Sequence, residues 1–128
     1  MNEDANSVWL IIRSNEDLCA DEISSRIGIS SNSRVKNHPK GGETFFLKSE
    51  MSIKDNRPLV DHIDWIVDAC SANFEDLREF IHEPENSGEI FIYVFTDHDA
   101  GYVEITAEQL KFFVDCGLSL SVKVEAST

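Results

Sequence analysis

No two cysteines in this chain of 128 residues stand at the spacing of a metal or dithiol motif. Cys19, Cys70 and Cys116 are odd in number and far apart, which argues against both a disulfide framework and a cysteine zinc site. Two of them fall on apolar helical faces, where a free thiol is ordinarily a small hydrophobe. Long apolar runs are also missing. The first, Val8 to Ile12, is five residues long and follows Met-Asn-Glu-Asp, so neither a membrane span nor a secretory leader is expected, and the default compartment is the cytoplasm. Missing too are a glycine-rich phosphate loop, a Gly-x-Ser-x-Gly elbow and a His-Glu-x-x-His helix, so the expectation is a non-enzyme without cofactor or metal.

Bases are scarce as well: 11 Lys and Arg against 24 Asp and Glu give a formal net charge of −13. Residues 26–57 carry +4, while residues 1–25 and 58–128 carry −5 and −12. Such an excess opposes binding to nucleic acid or an anionic membrane and favours a basic protein as partner. The length fits one domain over residues 1–128. With 41% hydrophobic residues, eight Phe and two Trp, it can bury a core without covalent staples.

Periodicity predicts alternating strands and helices. Val8 to Arg13 reads as a strand, Leu18 to Ile27 as a helix capped by Gly28, residues 30–42 as a loop and Thr44 to Glu50 as a second strand. Pro58 suits the first turn of a helix ending near Ser71, and a further helix spans Phe74 to His82 before a turn at residues 84–88. Glu89 to Thr96 is apolar on both faces, as expected of a central strand or one whose second face is covered by another layer or subunit. Residues 97–101 read as a turn into a short strand, Tyr102 to Ile105. Thr106 and Gln109 form a capping box for a last helix ending at Gly117, and Leu118 to Glu125 alternates as a final strand with one wet face. The predicted class is α+β, a mixed or antiparallel sheet with helices mainly on one face, in the order β-α-β-α-α-β-β-α-β.

The run Ser25-Arg26-Ile27-Gly28-Ile29, the strand Phe46-Leu47-Lys48-Ser49, the helix from Leu59 to Cys70 and the closing Gly117-Leu118 together resemble the bacterial family called domain of unknown function 4279. The resemblance spans most of the chain. It implies a small cytoplasmic protein without known catalytic residues, similar to immunity proteins encoded beside toxin genes.

Three constellations bear on chemistry. Asp97, His98, Asp99 and Glu108 imitate part of a calcium loop, but Gly101 and Tyr102 occupy places where that loop needs an oxygen ligand and then glycine, so a polar turn is the expectation. His62 lacks a second His at metal spacing and is read as a solvated or half-buried histidine. On the Leu59 to Cys70 helix, Asp61, Asp64, Asp68 and Trp65 are expected opposite an apolar stripe centred near Ile63 and Leu59, an anchor inside a charge ring. Phe112 is expected to lie off-stripe on the last helix, opposite Leu110 and Val114. Asp97, Asp99 and Glu104 complete the candidate partner-binding set. The leading expectation is an acidic inhibitor of a basic protein, an immunity protein covering the active site of a nuclease-type toxin, with a homodimer also admitted. The alternatives are a small-ligand or regulatory binding module using a cavity beneath residues 30–57, and a metal-dependent hydrolase at His62 or His98.

Overall fold

The computed structural model describes residues 5–14, 18–33, 43–96 and 103–126. Strands β1 (Ala5–Ser14), β2 (Phe45–Lys48), β3 (Asn86–Thr96) and β4 (Ser119–Ala126) form one sheet in the order β2-β1-β3-β4. β1 is antiparallel to both neighbours and β3 is parallel to β4, so the sheet is mixed and the class is α+β. Helices α1 (Ala20–Ile27), α2 (Leu59–Ser71), α3 (Phe74–His82) and α4 (Ala107–Cys116) complete the fold, with a 3-10 turn at Ser49–Met51.

Register explains why the helices gather on one side. Val8 opposes Ile92, Leu10 opposes both Leu47 and Ile90, and Ile12 opposes Phe45, so period-two alternation presents one apolar face. Ile23 and Ile27 of α1, Ile63, Ile66 and Cys70 of α2, Leu77, Phe80 and Ile81 of α3, and Phe113 and Cys116 of α4 join that face in one buried cluster. Each fully buried Leu, Ile or Phe contributes about 1.5–3 kcal/mol. α1 and α4 both end on a glycine in the left-handed region, Gly28 at φ 73° and Gly117 at φ 81°, a conformation open to glycine at little cost.

Several expectations change. Val103 to Ile105 form no strand, so the hairpin is replaced by a crossover through α4 that delivers β4 parallel to β3. β3 begins at Asn86, three residues early, because Asn86 to Gly88 continue its ladder with Ile12 to Ser14. α4 is rotated relative to expectation. Its inward residues are Gln109, Phe113 and Cys116 with Phe112 half-buried, at helical spacing, while Leu110 and Val114 are 40% and 72% exposed. β4 has two wet faces instead of one: Leu120, Val122 and Val124 are 39–45% exposed.

Candidate functional site

α2 places its acids much as the spacing predicts. Asp64 and Asp68 are exposed, and Asp61 is half-buried and held by the Arg57 guanidinium, with Nη2 2.7 Å and Nε 3.1 Å from Oδ2. The buried stripe is nevertheless turned toward His62, and this brings Trp65 onto its flank: the indole is half-buried against the core and is no free-standing anchor. Phe112 is likewise half-buried, 5.7 Å from the Phe74 ring and 6.2 Å from Phe113.

α4 docks its first turn against α2. Thr106 Oγ1 accepts from the Gln109 amide N–H at 3.1 Å, and Gln109 Oε1 accepts in return from the Thr106 N–H at 3.0 Å. The buried Gln109 then spends its Nε2 on Asp64 Oδ1 at 2.8 Å. One capping residue thus ties the acidic face of α2 to the start of α4, where Glu104 and Glu108 are exposed. Elsewhere cations answer the acids: Arg26 meets Glu83, Arg78 meets Glu75 and Lys111 meets Asp115. Asp68, Glu104 and Glu108 have no such partner among the described residues. Asp97 and Asp99 lie outside the described residues, as do His98 and most of the basic loop, Arg34 to Lys40.

His62 is fully buried, contrary to its reading as a solvated or half-buried group. Its Nε2 lies 3.0 Å from the Lys54 carbonyl, which can only accept, so Nε2 carries the proton and Nδ1 accepts from the Ser49 hydroxyl at 2.7 Å. Ser49 Oγ accepts in turn from the Val8 N–H at 2.9 Å. Burial lowers the His62 pKa, opposed by the Lys54 carbonyl and by Asp61, Asp55 and Glu50. Ser49 is also fully buried, so this Ser-His pair meets no substrate; it fastens α2 and the 3-10 turn to β1. Among the described residues no group of three His, Cys, Asp or Glu could hold a metal ion. A shallow cleft between α1 and α3 is lined by Arg26, Asp76, Glu79, Phe80 and Glu83.

The second sheet face carries a feature that alternation in β3 signalled in part. Trp9, Phe46, Phe91, Tyr93 and Phe95 project there half-buried, and the core residues of all four helices meet the opposite face. Trp9 lies 5.8 Å from Phe46 and 5.6 Å from Phe91, with Lys48 Nζ 4.1 Å above its ring. Glu50 Oε1 accepts from Trp9 Nε1 at 2.5 Å and from Ser7 Oγ at 2.8 Å. Tyr93 donates to Glu125 at 2.8 Å, a bond that raises the phenol pKa and lowers the carboxyl pKa.

No helix among the described residues is long and apolar enough to cross a membrane. No curated protein and no solved structure matches the chain. A family model described as Domain of unknown function (DUF4279) matches residues 4–127, and with nearly the whole sequence covered the chain belongs to that family.

Proposed function

We propose that this protein is an acidic binding inhibitor, an immunity protein that neutralises a basic bacterial toxin of nuclease type by covering its active site. The observation that supports the reading is the α2–α4 junction, where the Gln109 to Asp64 bond of 2.8 Å holds two acidic segments together. Asp68, Glu104 and Glu108 stand there exposed without a cation among the described residues. A site that binds phosphodiesters is positive because its substrate is negative. An acidic surface competes for the same field and raises the encounter rate, while apolar contact sets the lifetime of the complex. The half-buried Trp65 and Phe112 supply that apolar contact from beside the acids.

The test is co-expression with the product of the gene adjacent to its own. A basic partner that is toxic alone and harmless in combination is expected, forming a complex with the tagged chain at low salt. Replacing Asp64 and Asp68 by Asn and Glu108 by Gln keeps the Gln109 acceptor while removing three charges; association should slow about tenfold, and the difference should shrink at physiological salt. A triple variant that associates at the parent rate, or a neighbour that forms no complex, overturns the reading.

A further inference from the structure

The two edges of the sheet are finished differently. At β2 the chain closes its own edge: the Phe46 carbonyl accepts from the Asn32 N–H at 3.4 Å and from Ser31 Oγ at 2.9 Å. Asn32 Oδ1 accepts from the Lys48 N–H at 2.7 Å, and Asn32 Nδ2 donates to the Lys48 carbonyl at 2.8 Å. Among the described residues β4 has no counterpart. It pairs with β3 along one side, and no segment among the described residues pairs with its other side. An unprotected edge eight residues long, flanked by a half-exposed row of Leu120, Val122 and Val124, is a template for another strand.

We infer that β4 is the contact surface for a second copy of this chain, the two β4 strands pairing antiparallel about a two-fold axis to join two sheets into one. Charge identifies the occupant. In a chain of net −13, Ser119–Ala126 carries one Lys and one Glu, and these stand two apart on the same face, 3.0 Å from each other. An axis through Val124 opposes Lys123 of each copy to Glu125 of the other, so both cross-strand pairs are attractive. The same register sets Val124 against its symmetry mate and Val122 against Ala126, apolar on apolar. Such a contact is isologous and closes at two. A cationic partner strand would find no excess of acid on this strand, whereas an identical strand finds each charge answered. The inference is independent of the inhibitor reading, because it uses no residue of the α2–α4 junction.

Sedimentation equilibrium on the full chain tests it. The parent is expected to show a concentration-dependent rise from 14.5 kDa toward twice that mass. Lys123→Glu alone and Glu125→Lys alone each oppose like charges across the axis twice and should weaken self-association at least tenfold. An equimolar mixture of the two variants restores both attractive pairs and should recover the dimer, which a pair acting only within one chain would not do. Val124→Lys puts two cations on the axis and should also give a monomer; thermal unfolding confirms that each variant is folded, and this third variant carries the test if a charge reversal is not. A parent that stays monomeric at hundreds of micromolar, a dimer that survives Val124→Lys, or a mixture of folded reversal variants that remains monomeric overturns the proposal.

Discussion

His62 stands in the core with both ring nitrogens committed, and its protonation would break the bond that Nδ1 accepts from Ser49. Because its pKa in the folded state lies below the ordinary value of 6.5, the unfolded chain takes up the proton first as pH falls. The contribution to stability is therefore complete above pH 6.5 and lost progressively below it, down to the folded-state pKa. The expected outcome is a midpoint of urea unfolding that falls between pH 7.5 and 5.5 by more in the parent than in His62→Gln, whose amide can donate and accept without titrating. Equal slopes in both proteins would remove His62 as the cause. The thiols diverge in the same residue-by-residue manner. Burial pushes Cys70 and Cys116 up to about 12, while Cys19 is partly exposed at the start of α1. Under native conditions at pH 7.5 maleimide should label one thiol quickly, with peptide mapping identifying Cys19, and the other two only after denaturation.

At the scale of elements, α3, β3 and the entry to β4 meet in a close contact at Gly88. A Cβ on Gly88 would sit 2.7 Å from Leu118 Cδ2 and 2.8 Å from Ile81 Cδ1, both on largely buried side chains. Gly88→Ala should cost about 1–3 kcal/mol, measured as a lower denaturant midpoint at unchanged m-value. α1, α2 and α3, the Thr106–Gln109 capping box, the glycine caps at Gly28 and Gly117, and the core face of β1 and β3 were legible because each writes its period or its cap into adjacent residues. α4 was misread through its most hydrophobic pair: Leu110 and Val114 look like a core stripe, yet Gln109, Phe112, Phe113 and Cys116 repeat at helical spacing too, and the polar Gln109 is admitted inside because Asp64 and Thr106 satisfy it. The acidic face of α2 was legible from spacing alone. Its junction with α4, the burial of His62 and the side-chain closure of β2 depend on contacts across 45, 13 and 16 residues, which no local pattern encodes.

Across the whole molecule, the two proposed contacts, one through charge and one through the sheet edge, should respond oppositely to salt. A complex between this chain and a basic protein gains from attraction and should weaken as ions screen it, whereas two copies of net −13 repel at long range and should associate better once screened. Titrating sodium chloride against both equilibria in one buffer would separate them, and parallel trends would argue that one surface serves both. The Asn32 closure of β2 also limits how far copies of the chain can add to one another. A monomer with one reactive end couples and stops, while a monomer with two grows into a chain; by sealing one end with its own Asn32 amide, this fold is monofunctional. Asn32→Ala removes two of the bonds that seal it and makes the unit bifunctional, so light scattering should then report species beyond the dimer that lengthen with concentration, and Val124→Lys added to the same chain should act as a terminator and abolish them.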